Sequence, residues 1–108
     1  MNRTEHLLTV LSEECIEVAK EVSKALRFGL DDFMPDPPLN GTISNRQRIA
    51  EELRQVMAMA DWLHEEGVLP FIFPDRDKRE RVERYMEYAR ASGALSSTPS
   101  EGKTEQCP

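Results

Sequence analysis

Cysteine and histidine are scarce in this sequence. Two of each, at positions 6, 15, 64 and 107, are too scattered for a four-ligand zinc site. Cys15 falls in a helical segment and Cys107 in a C-terminal tail, so no disulfide is expected. Basic residues are also short, 14 against 20 acidic ones, for a formal charge of −6. That excludes the basic footprint needed for a sequence-independent grip on nucleic acid. It leaves small anionic substrates open, because a bound cation inverts the local field. No apolar run approaches the ~20 residues of a membrane-spanning helix. Residues 1–6 carry no apolar signal segment, so the expected compartment is the cytoplasm. Hydrophobic residues make up only 39% of the 108. A chain of this length buries roughly two thirds of its unfolded surface, which suits a helical subunit that completes its core by oligomerising.

What is present is helical periodicity, in three segments. In the first, Leu8, Leu11, Cys15, Val18, Val22 and Leu26 recur every three or four residues as one apolar stripe, with Thr4 as N-cap and Gly29 as the stop. Cys15 is read as a core residue of that stripe. The second opens on the capping-box pattern Ser44-Asn45-Arg46-Gln47. Its stripe is Ile49, Leu53, Val56, Ala60 and Leu63, and it closes at Gly67. The third follows Pro74, capped by Asp75, and ends near Gly93. Residues 31–43, with three prolines, form a connector long enough to be a substrate wall. Residues 68–74 read as an extended connector, because prolines bracket their few apolar residues. The expected organisation is an all-α domain over 1–95 and a disordered tail over 96–108.

The chemistry-bearing residues lie in the first two helices. Glu14 and Glu17 stand at i and i+3 and share a helix face beside the apolar stripe. Glu52 and Gln55 repeat the spacing in the second helix. Carboxylates bordering a core face are costly unless compensated, and a divalent cation with oxygen ligands is one compensator. A solvated Glu/Lys face, supported by Lys20, Glu21 and Lys24, is the other reading that spacing leaves open.

Glu13-Glu14-x-x-Glu17 followed by Glu52-x-x-Gln55 resembles the acidic signature of MazG-like, all-α nucleoside triphosphate pyrophosphatases. Leu7-Leu8-Thr9-Val10-Leu11-Ser12-Glu13-Glu14 and Glu21-Val22-Ser23-Lys24-Ala25-Leu26-Arg27-Phe28-Gly29-Leu30-Asp31 resemble its small phage branch. Arg81-Val82-Glu83-Arg84-Tyr85 is similar to its third-helix basic motif. Within that branch the chain looks close to the MazZ group, which acts on dGTP.

The resemblance implies a three-helix subunit and a four-helix-bundle site completed by association into a dimer or tetramer. It implies cleavage of a (deoxy)nucleoside triphosphate, dGTP or GTP, to the monophosphate and pyrophosphate. Glu14, Glu17, Glu52 and Gln55 would be the ligands of magnesium or manganese. Glu13 either orients the attacking water or is a surface residue. Lys24, Arg27, Arg81 and Tyr85 would meet the phosphates; surface solubility is the other reading of Lys24 and Arg27. Trp62 packs either near a base or in the core or subunit interface. In the family the Gln55 position holds Asp. The amide oxygen can coordinate a cation without bringing a charge, which should weaken a second metal more than the first. Two rivals stand beside this expectation: a house-cleaning dUTP or dCTP pyrophosphatase, and a catalytically weak nucleotide-binding module. If the gene is a phage's, the compartment is the host cytoplasm.

Overall fold

A computed structural model describes residues 1–33 and 43–96. Most of the expected substrate-wall loop (34–42), nearly all of the expected tail (97–108) and Cys107 lie outside the described residues. Among the described residues the fold is all-helical: α1 (Arg3–Phe28), α2 (Asn45–Glu65) and α3 (Lys78–Ala91). No helix among them is long and apolar enough to cross a membrane. The chain divides into two compact units, Met1–Ile72 and Phe73–Pro108.

Local sequence sets the helix ends. The N-cap of α1 is Asn2 rather than the expected Thr4. Its side chain accepts from the Glu5 backbone N–H and Glu5 accepts from the Asn2 N–H, both at 2.8 Å, a reciprocal box that Thr4 could not make. At the other end Gly29 adopts φ 102° and its N–H closes on the Ala25 carbonyl at 2.8 Å. A side chain would strain that backbone. Ser44 caps α2 with Gln47 as expected. Residues 70–74 lie in no helix and pair in no sheet.

The first unit is an antiparallel hairpin of α1 and α2. At one end Arg3 makes a two-pronged ion pair with Glu66, at 3.0 and 3.1 Å. At the other, Asn45 donates to the Gly29 carbonyl at 2.9 Å and Arg46 clasps Asp31 at 2.9 and 3.1 Å. The core sits near the first end. Leu7, Met59 and Leu63 are buried, with Val10, Leu11, Val68 and Leu69 packed against them.

The seam between the helices differs from the expected stripe. On α1 the positions shielded from solvent run 7, 11, 14, 18, 21 and 25, with 10, 17 and 24 beside them. That alternation of four- and three-residue steps is the pattern of a two-helix contact. Leu11 and Val18 belong to it, but Leu8, Val22 and Leu26 are exposed, Leu26 by 82%. Cys15, expected in the core, is exposed too. The helix is turned by about 80° from the orientation its apolar residues alone would choose. That turn brings Glu14 and Glu21 into the seam. On α2 the shielded positions run 45, 49, 52, 56, 59 and 63, with 48 and 60 beside them and Leu53 left 46% exposed.

In the second unit α3 begins three residues later than Asp75, the expected cap. Asp77 is the N-cap and makes no side-chain capping bond. Asp75 instead accepts from the Asp77 N–H at 2.9 Å and from Arg81 at 2.8 Å. No residue of α3 is buried. Its Tyr85 and Tyr88 are exposed and line an open groove of about 540 Å³ with Ala89, Ser92 and Ala94.

Candidate functional site

Antiparallel packing on this seam has a geometric consequence. The acidic flank of α1 and the Glu52 flank of α2 fall on the same side of the hairpin, and the exposed Leu8, Val22 and Leu26 of α1 and Leu53 and Met57 of α2 fall on the other. Glu14, Glu17 and Glu52 are half-buried on the acidic side. Their proximity is felt electrostatically. Burial raises the Glu52 carboxyl above its ordinary range, and the negative charges of Glu14, Glu17, Glu21 and Glu51 raise it further. Glu51 is exposed and paired with Arg54 at 3.1 Å.

The other expected site residues divide. Glu13 and Gln55 are exposed, each set off from the seam by its angle on the helix. Lys24 is not at the surface: its side chain is 17% exposed and its Nζ faces Glu21 Oε2 at 3.5 Å. Arg27 is exposed, its guanidinium 5.3 Å from the Phe28 ring centroid. Arg81 is held by Asp75, and Tyr85 stands in solvent. Trp62 is 42% exposed and lies beneath Arg3, 5.9 Å from ring centroid to guanidinium. His64 accepts from no residue of the acidic side; its Nδ1 lies 3.1 Å from the Leu69 carbonyl oxygen and its ring meets Phe71 edge-on at 5.5 Å.

Two residues of the seam were passed over in the sequence. Glu21 reads as part of a Glu/Lys surface but is 6% exposed, its Oε1 buried without a hydrogen-bond partner. Asn45 reads as part of a cap but is fully buried. Both were visible in the four-three stepping, 14-18-21-25 and 45-49-52, once the seam is drawn through Glu14 instead of Cys15.

Among the described residues no three His, Cys, Asp or Glu side chains already converge on a point that could hold a metal. The donor chemistry nevertheless suits a hard divalent cation. The donors described on this flank are carboxylate oxygens and the Gln55 amide oxygen, and one carboxylate oxygen, Glu21 Oε1, is buried and unserved. Comparison of the chain with protein-family models, with curated proteins and with solved structures gives no match.

Proposed function

We propose that this chain is a metal-dependent nucleoside triphosphate pyrophosphohydrolase of the MazG-like kind. Glu14, Glu17 and Glu52 would hold magnesium or manganese, with the Gln55 amide oxygen as an uncharged donor. Such a cation, when bound, neutralises phosphate charge and lowers the pKa of a water. The chain's own residues have separate tasks. Glu13 is positioned, in sequence, to orient the attacking water. Lys24, Arg27, Arg81 and Tyr85 are assigned by the resemblance to the phosphate oxygens, where cations stabilise developing charge. Water adds at the α-phosphorus and the α–β bridging oxygen leaves with pyrophosphate, giving the nucleoside monophosphate.

The observation that carries the reading is the gathering of carboxylates from two helices on one side of the seam, close enough to raise Glu52. Like charges brought together at the expense of apolar packing suit a cation site better than a structural contact. The apolar side supports association into a dimer or tetramer that completes a four-helix bundle. Leu26 and Met57 are 82% and 66% exposed there, and a lone hairpin leaves them to water. The expected compartment is the cytoplasm, and the expected substrate is dGTP or GTP, with dUTP or dCTP as the alternative. The exposed, uncharged Gln55 favours a second reading, a nucleotide-binding module with weak catalysis.

The test is pyrophosphate release from a panel of ribo- and deoxynucleoside triphosphates, with magnesium or manganese and with chelator. Metal-dependent release fastest on dGTP or GTP is the expected result. Binding of a triphosphate without release would favour the module.

A further inference from the structure

We propose that Glu21 is a further carboxylate of the cation site, supplying the charge that Gln55 lacks, and that Lys24 is the ammonium it releases when a divalent cation enters. The inference rests on the metal-dependent reading above and adds a residue outside the acidic signature. Three observations carry it.

The first is burial without compensation. The Glu21 side chain is 8% exposed, and its Oε1 is buried with no hydrogen-bond partner. A carboxylate withdrawn from water needs both oxygens served, and here one is not. The second is position. Glu21 follows Glu14 and Glu17 along the acidic flank of α1, and its charge reaches Glu52 on the facing helix. The third is the incumbent. Lys24 lies 3.5 Å from Glu21 Oε2, long for a charge-assisted hydrogen bond, and its side chain is itself only 17% exposed. The Lys24 ammonium, one turn away, thus meets one of the two carboxylate oxygens. Lys20 and Glu17 repeat the pairing at 3.8 Å, but their side chains are more open to water, 57% and 41% exposed, where ion pairs exchange readily.

A divalent cation carries twice the charge of Lys24 and binds oxygens from several carboxylates together. On entering beside Glu17 and Glu52 it would engage the free Oε1 and displace the ammonium. With Glu21 the site has four carboxylates although Gln55 brings none.

The experiment is manganese titration into the full chain without nucleotide, following the electron paramagnetic resonance signal of free Mn²⁺. Thermal melts verify that each variant is folded. Glu21→Gln should weaken manganese binding by about tenfold or more, a ligand-scale loss. Lys24→Gln, which keeps the stem and removes the competitor, should tighten it several-fold. Lys24→Gln also decides the matter should Glu21→Gln fail to fold. If both variants bind like the unaltered chain while Glu17→Gln binds weakly, the proposal is overturned and the metal-dependent reading stands. No manganese binding by the unaltered chain overturns both.

Discussion

The side-chain amide of Asn45 donates to the carbonyl of Gly29 at 2.9 Å, joining the first residue of α2 to the C-cap of α1. The two backbones are tied at the same place, Asn45 N–H to the Asp32 carbonyl at 2.9 Å and Arg46 N–H to that of Leu30 at 2.8 Å. The first amides of α2, which have no partner within the helix, are thereby satisfied by the turn that ends α1. The end of the hairpin farthest from the Leu7–Met59–Leu63 core is therefore held by hydrogen bonds, and Asn45 is its buried member.

Removing that amide should be costly. Asn45→Ala removes the side-chain donor to the Gly29 carbonyl, leaving it only the longer bond from the Asp32 N–H at 3.4 Å, and should lower unfolding free energy by about 1–3 kcal/mol. Asn45→Asp should cost more, because a carboxylate there faces a carbonyl oxygen and has no donor to offer. Urea unfolding followed by circular dichroism measures both.

Arg3 and Glu66 form the ion pair at the opposite end, and it is exposed, with Arg3 65% in solvent. Arg3→Ala should therefore leave stability nearly unchanged despite the two-pronged geometry. Trp62 beneath Arg3 is the chain's single tryptophan, so its fluorescence should change on the substitution even where stability hardly does.

The acidic flank predicts a pH dependence with a definite sign. Glu52 holds its proton more tightly folded than unfolded. Its contribution favours folding below the ordinary carboxyl range and is lost as pH rises through that range to the raised folded value. In the metal-free protein Glu52→Gln should then raise the melting temperature at pH 7 by about 2–6 °C and leave it nearly unchanged near pH 4. Differential scanning calorimetry with chelator present decides this. A lower melting temperature at pH 7 would mean that the carboxylate is stabilising where it sits.

The exposed apolar side predicts association. Light scattering should give a mass that is a multiple of 12.4 kDa. Leu26→Glu and Met57→Glu should each shift the protein toward the single chain, since charge in an apolar interface is strongly unfavourable. A stable single chain at micromolar concentration in the unaltered protein would contradict the proposed assembly.

Much of the fold could be read from the residues. The Ser44–Gln47 box and the Gly29 stop follow from local chemistry, which does not depend on a partner. The orientation of α1 was not legible by the same reasoning. Its most apolar line runs through Leu8, Cys15, Val22 and Leu26, yet the seam passes through Leu7, Glu14, Glu21 and Ala25. A helix with more apolar surface than one neighbour can cover offers several faces, and which one meets α2 is a tertiary choice. The start of α3 was missed for a related reason. Asp75 has the composition of a cap, but its oxygens are taken by Asp77 and Arg81. For the site, Glu14, Glu17 and Glu52 were legible as a spacing, whereas Glu21 required knowing the seam.

The central claim, hydrolysis between the α and β phosphates, is tested most directly by phosphorus NMR of dGTP incubated with the protein and magnesium. The account predicts resonances of dGMP and pyrophosphate growing in the ratio of their phosphorus nuclei, one to two, lost on chelation and absent with Glu17→Gln. Intact dGTP and intact GTP after prolonged incubation, or a diphosphate with inorganic phosphate as products, would contradict it.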